Sequence, residues 1–492
     1  MLFKPEIAAR LWDTWLYYHE GTHYLFYLHR MRAGGGYDGM SVATSDDGVH
    51  FADRGPIIHK AADANWLGTG MVWRAGDRFM LNFSEERNGV QEIFFAESDD
   101  LLQWRRLPDE AYVCRSDPRW YAEDPMFTSQ RWDCIWVLPR EDGPGYIGFL
   151  TAVAKDGPPG LCGTAGCVVS DDGRHFRAAP PVIETGLWGE RIEVGAVEKI
   201  GDRYYMLLGV GKSHALGSRH LSDLLAGECG MYVLSSEAQT GPYRLDPGQR
   251  LLLGNSPKRL NYFARFYRCG DQLLLNHHTV PRQHGGESYF SPLKTVHRDG
   301  AGILSLRWWP GNEALKGRAL PVVLEGCEFY GLRTDDCPVE AGRMHLAAAA
   351  GGLAILPVKY DLARGVVLET ELTFQELSGP LGGVGLFIEG DPTGAGTLLV
   401  AQSDDRLTTG PYTSPTGDGY AFQPEDAKPL PFKPKQTMRW RLLLRNEFAE
   451  LYVDDELIQG YTLPHAPSGR LGFVIEAGTA AAANVRGWEM SL

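Results

Sequence analysis

Three acidic residues carry the pattern in this sequence that could do chemistry. Asp13, Asp124 and Glu193 lie in "RLWDTWLYY" (from Arg10), "YAEDPMFTS" (from Tyr121) and "RIEVGAVEKI" (from Arg191). Each segment stands just ahead of a stretch that reads as a tight turn and an apolar strand, and aligned on that turn the three acids share nearly one register. Carboxyls brought together in this way do general acid/base work. Their like charges push the pKa values apart, so that one stays protonated while another is ionised near neutrality. A single such acid is commonly a strand-end or turn residue; the shared register is what argues for one site. Two further segments, "LGTGMVWRA" from Leu67 and "LNYFARFYRC" from Leu260, place Gly68, Thr69 and Gly70, and Tyr262, at the same level. The glycines would let a ligand approach the backbone. Trp12, Trp15, Trp66, Trp120 and Tyr262 are aromatic faces of the kind that stack on sugar rings or fill gaps between sheets.

The elements that must position these residues are strands. Short runs of Tyr, Phe, Leu and Val, bounded by Gly, Asp and Asn, recur with almost no helical periodicity. Five segments repeat as turn plus apolar strand: "EGTHYLFYL" from Glu20, "AGDRFMLNF" from Ala75, "SQRWDCIWV" from Ser129, "IGDRYYMLL" from Ile200 and "CGDQLLLNH" from Cys269. Between them "ATSDDGVHF", "AESDDLLQW" and "VVSDDGRHF" recur, with a degenerate "LSSEAQTGPY". Their Ser-Asp-Asp side chains suit turn capping better than a calcium loop, which needs more closely spaced oxygen ligands. Five such units predict an all-β fold, a five-bladed β-propeller over residues 1–308. Radial closure protects its sheet edges, and the first strand of each blade lines the channel. Pro and Gly interrupt residues 309–321, read as a linker. Alternating strands over residues 322–492 predict a C-terminal β-sandwich, with hairpin turns at Asn446 and at Asp454-Asp455.

Composition narrows the function classes. A net charge of -14 argues against nucleic-acid partners, which demand clustered Lys and Arg. No segment approaches the roughly 18 apolar residues of a membrane span, and "MLFKPEIAAR" lacks a secretory core. A cytoplasmic location and no membrane partner are the expectations. The eight cysteines are scattered, and even "CGTAGC" lacks a second ligand pair, so free thiols and no metal or cofactor are expected. Asn276, His277, His278, His284 and Arg265 could form a metal or phosphate site in the fifth unit. Histidines at a strand end more commonly hydrogen-bond locally.

The motifs together resemble glycoside hydrolase family 32, the β-fructosidases, and more loosely family 43. "WDTWLYYHEGTHYLFYL" is similar to the family's nucleophile strand, "LGTGMVW" to its Ser-Gly-Ser segment, "EDPMF" to its Arg-Asp-Pro motif and "EVGAVEKIGDRYYML" to its acid/base strand. The resemblance covers nearly the whole chain and implies the same propeller-plus-sandwich fold. It further implies that Asp13 is the nucleophile of a retaining glycosidase, Asp124 a transition-state stabiliser and Glu193 the general acid/base. Trp12, Trp66, Gly68, Thr69, Glu123, Arg191 and Tyr262 would line the substrate site. The substrate would be an oligosaccharide or polysaccharide, a fructofuranoside first. Departures at Trp12, Thr14-Trp15, Glu123 and Val194 alter the neighbours of all three acids and bear on sugar specificity. An inverting arabinofuranosidase or xylosidase, a sugar phosphorylase using Arg191 and Arg265, and a non-catalytic carbohydrate-binding protein are the alternatives. The last keeps the aromatics but needs no converging acids.

Overall fold

A computed structural model describes the chain except for residues 1, 7, 9, 32–35, 124–130, 191, 211–229, 246–250, 255–258, 282–287, 334, 336, 350, 378–381, 391–394, 414–420, 432, 434, 465 and 466. Among the described residues the only α-helix is the single turn Asp109–Tyr112; almost everything else regular is strand. The chain divides into two compact units, the first taking Met1–Asn255 and Leu260–Ser305 and the second Ser256–Arg259 and Leu306–Leu492.

The first unit is a propeller-like arrangement of antiparallel sheets. Four stand separately, and in each the strands follow chain order from the first outward. The first sheet runs Arg10–His19, Thr22–Arg30, Gly39–Ser45 and Ala52–His59; the second opens with Trp66–Ala75, the third with Trp132–Pro139 and the fourth with Glu193–Ile200. Their first strands lie side by side in that order. Arg78–Arg87 is buried on both faces because its sheet is packed between the first and the third. Trp73, Met80 and Phe95 of the second sheet meet Trp132, Ile135 and Leu150 of the third, while Leu67, Leu81 and Phe94 meet Trp15, Phe26 and Val42 of the first.

The recurring turns are built as their residues dictate. Glu20 and Gly21 take φ of 46° and 85° between the first two strands, the left-handed pair that matches strand twist in a two-residue hairpin. In the Ser-Asp-Asp turns the serine and the second aspartate do the capping. Ser45 Oγ accepts from Gly48 N–H at 2.9 Å, and Asp47 Oδ1 accepts from Val49 and His50 N–H at 2.8 Å. Ser98 with Asp100 and Ser170 with Asp172 repeat the arrangement. These loops spend their oxygens on backbone donors.

Two expectations need correction. In the third sheet "SQRWDCIWV" contributes the first strand, Trp132–Pro139, and not the second; the hairpin that follows uses the longer loop between Pro139 and Tyr146. Tyr121 makes only an isolated bridge with Ala154. The fifth repeat, moreover, does not form a separate sheet. Arg259–Cys269, Gln272–Pro281 and Lys294–Arg298 neighbour one another in chain order; in the next strand, Leu304–Trp308, Arg307 belongs to the second unit and pairs there with Glu456.

The second unit holds two antiparallel sheets, one around Val366–Leu377, Thr437–Arg445 and Gly478–Met490, the other around Gly383–Glu389, Gly396–Gln402 and Leu471–Ile475. Leu368, Leu372, Trp440 and Leu442 of the first share one buried cluster with Leu386, Leu399, Phe473 and Ile475 of the second. Asn446 and the pair Asp454-Asp455 adopt positive φ at the hairpins between Thr437–Arg445, Phe448–Val453 and Glu456–Thr462. Pro310–Leu315 forms a 3-10 helix and Lys316–Leu320 a strand against Gly478–Met490.

Candidate active site

Each of the four first strands is interrupted at a corresponding place. The register slips between Trp12 and Thr14, between Leu67 and Gly70, opposite Phe149 and Thr151 where Cys134 lies, and between Val194 and Ala196. Asp13 and Cys134 sit in the left-handed region, with φ of 34° and 57°. Such bulges aim side chains out of the sheet, and are over-represented beside active sites. Aspartate tolerates left-handed backbone better than most residues, which suits Asp13 to its place.

The bulges gather three acids and two arginines. Glu193, the first residue of its strand, accepts from Arg131 Nη2 at 3.1 Å; the same nitrogen lies 3.5 Å from Asp133 Oδ2. Asp133 is fixed on its other oxygen by Ser84 Oγ at 2.5 Å, and Ser84 in turn accepts from Gln91 Nε2 at 3.0 Å. Asp13 is buried, and among the described residues its Oδ1 has no hydrogen-bond partner. Beneath them Arg265 is wholly enclosed. It donates to the Gly70 carbonyl at 2.5 Å, to Thr69 Oγ1 at 3.3 Å and to Cys134 Sγ at 2.7 Å. Its guanidinium also faces Trp15, Trp136 and Phe263, with centroids 5.6, 5.7 and 4.7 Å away.

Among the described residues these three carboxylates face two guanidiniums, and in a dry setting an excess of negative charge favours uptake of a proton. Burial raises the Asp13 pKa well above the usual carboxylate range; the Glu193 carboxylate raises it further, against the pull of Arg265. Burial raises Glu193 too, but Arg131 beside it favours the ionised form. Both carboxyls are thus raised, Asp13 the further of the two, and the cation beside Glu193 offsets part of its burial.

A stability effect follows from that sign. Asp13 holds a proton in the fold that the unfolded chain releases above about pH 4. Its favourable contribution is complete below that pH and is lost as pH rises toward the raised value. Asp13→Asn should match the wild type in acid and exceed it by about 1 kcal/mol at pH 7, read from urea midpoints.

Asp124 and Arg191 lie outside the described residues, as does the side chain of Tyr262. Trp12 and Trp66 are partly buried, and Trp12 lies beside Tyr37 and His278 with centroids 6.1 and 4.8 Å away. Glu123 is exposed. Thr69 is buried against Arg265. Gly68 and Gly70 make room for protein and not for ligand: a methyl at Gly68 would strike Ser84 and Asp133, and one at Gly70 the Asn82 carbonyl. Trp15 is core, stacked on Phe26. His278 Nδ1 accepts from Phe263 N–H at 3.1 Å, a local role. The seven described cysteines are free thiols. Among the described residues no cluster of His, Cys, Asp and Glu is arranged to hold a metal ion.

Sequence reasoning missed Arg131, Asp133 and the placement of Arg265. A signal for the first two was present. Ser-Asp-Asp closes the third strand of the first three sheets, so counting back from Ser170 leads to the strand carrying Asp133.

Comparison with solved structures agrees with this topology over the whole chain. Fructan 1-exohydrolase IIa from Cichorium intybus superposes with a TM-score of 0.68 at 12% identity, covering 100% of this chain and 96% of that one. The chain has the fold of the family 32 fructofuranosidases. A sucrose-6-phosphate hydrolase from Lactobacillus gasseri (TM-score 0.66, 12% identity, 98% and 91% covered) has this family 32 fold as well. So does a family 32 β-fructofuranosidase from Bombyx mori in complex with sucrose (0.63, 11%, 99% and 93%). No protein-family model matches the sequence, and no curated protein is significantly similar to it.

Proposed function

We propose that this protein is a glycoside hydrolase acting on a furanoside, a fructofuranoside of sucrose or fructan type first, in which Asp13 and Glu193 divide one proton between them. The observation that carries the reading is the unpartnered buried oxygen of Asp13 beside Glu193, on first strands bulged at corresponding places. The family 32 fold of the chain supports it, since solved fructofuranosidases share that fold. In the reactive form Glu193 protonates the leaving oxygen and Asp13 attacks the anomeric carbon with retention. Positive charge developing on the sugar favours an ionised Asp13, so substrate draws the proton from Asp13 to Glu193. Asp133, held by Ser84, takes the part of the third acid, accepting from sugar hydroxyls.

The bond from Arg131 to Glu193 and the raised Asp13 favour a second allocation of roles. In it Asp13 donates the proton and Glu193, held ionised by Arg131, attacks or activates water.

The fold around this site is read as five-bladed. The Ala264 carbonyl, which a methyl on Gly195 would strike, and the hydrogen bond from Asn276 to the Thr14 carbonyl at 2.9 Å support counting Arg259–Arg298 as the blade between the fourth sheet and the first. The second unit, with one apolar core under two sheets, is read as a β-sandwich.

Incubation with sucrose, inulin, levan and aryl arabinofuranosides, followed by NMR of the anomeric centre, tests the reading. Release of fructose with retained configuration is expected. A folded protein that binds these sugars and cleaves none would overturn it in favour of a lectin-like role.

A further inference from the structure

Arg10 and Arg30 stand directly opposite each other on the first two strands of the first sheet. Like charges so paired repel, and such a pair is unfavourable unless something of opposite charge lies between or beside it. Among the described residues neither arginine has a carboxylate partner. Arg10 Nε donates to Ser288 Oγ at 3.2 Å, its guanidinium lies 4.6 Å from the Trp12 ring, and Arg30 lies 4.9 Å from the Tyr37 ring. The Arg30 Nε is buried without a hydrogen-bond partner. Both guanidiniums are partly buried, so water screens their repulsion only in part.

The pair also adjoins the acidic site. Trp12, next to Asp13 in the chain, carries Arg10 and packs beside Tyr37, which carries Arg30. The Tyr37 hydroxyl is raised by burial and then by Asp13, and is pulled down by Arg10 and Arg30, which puts it between the two charge groups. A cationic fork one aromatic layer from the acids fits an oxyanion on a ligand whose neutral part reaches them.

We propose that Arg10 and Arg30 form an oxyanion-binding subsite, taking a phosphate or carboxylate group carried by the sugar substrate. This rests on the glycosidase reading for the location of the sugar, but not for the existence of the anion site. Asp13 and Glu193 repel an anion placed among them, so the group is recognised at the arginine side while the uncharged anomeric carbon faces the acids. The sugar therefore enters with one orientation.

Calorimetric titration with fructose, inorganic phosphate and fructose 6-phosphate, on wild type, Arg30→Lys and the Arg10→Gln/Arg30→Gln double variant, tests the inference without turnover. In the wild type the phosphate ester should bind at least about tenfold tighter than fructose, and added salt should weaken it. That preference should fall about tenfold or more in the double variant and partly survive in Arg30→Lys, which keeps the charge and covers the case in which the double variant does not fold. Inorganic phosphate binding as tightly as the ester would support the subsite with free oxyanion as its ligand. Equal affinity for fructose and the ester, with no binding of inorganic phosphate, would overturn it. Fructoside hydrolysis with no anion preference would remove this inference alone, and anion binding without hydrolysis would remove the glycosidase reading alone.

Discussion

Glu193→Gln should lower kcat/KM about a thousandfold on substrates with sugar or alkyl leaving groups and leave nitrophenyl substrates far less affected. An alkoxide cannot depart without a proton, whereas nitrophenolate can, so the leaving-group dependence identifies the donor. Glutamine preserves the shape that meets Arg131 Nη2. Overall stability should therefore change little, and circular dichroism serves as the control. If Asp13→Asn shows the leaving-group dependence instead, the second allocation holds and Glu193 is the nucleophile or base. Equal loss on every leaving group in both variants would place proton donation elsewhere in the site.

Arg265→Met should cost about 3 kcal/mol in urea unfolding and shift the pH profile of activity to higher pH. Methionine replaces most of the volume between Trp15, Trp136 and Phe263, but none of the donors to Gly70, Thr69 and Cys134. The buried Gly70 carbonyl loses its guanidinium donor and keeps only the weak Cys134 thiol, and the acids lose a cation that favours their ionised forms. Arg265→Lys should recover part of the pH shift but little of the stability, since one ammonium cannot span three partners. A purely structural role would lower stability and leave the pH profile in place.

The difference between what the sequence expressed and what it hid lies in the length of the hairpins. Asp13 and Glu193 were legible because each stands a fixed distance ahead of a short hairpin closed by glycine, Gly21 in one and Gly201 in the other. The third sheet closes its first hairpin with the longer loop after Pro139, so the spacing that marks Asp13 and Glu193 does not point to Asp133. Arg265 was hidden for another reason. Its partners Gly70 and Cys134 are far away in sequence, and a charged residue in an apolar strand gives no local sign of which neighbours the fold will supply. The glycines of the second blade were misread similarly: the space they leave is filled by Ser84, Asp133 and Asn82. In the second unit the turns at Asn446 and Asp454-Asp455 were legible because positive φ at a hairpin selects those residue types.

Infrared difference spectroscopy of the carboxylic acid C=O stretch, comparing the wild type with Asp13→Asn at neutral pH, puts the shared proton to the most direct test. One protonated buried carboxyl should be present in the ligand-free wild type and absent from the variant. A wild-type spectrum with every carboxyl ionised, or a band that survives the substitution unchanged, would contradict the account.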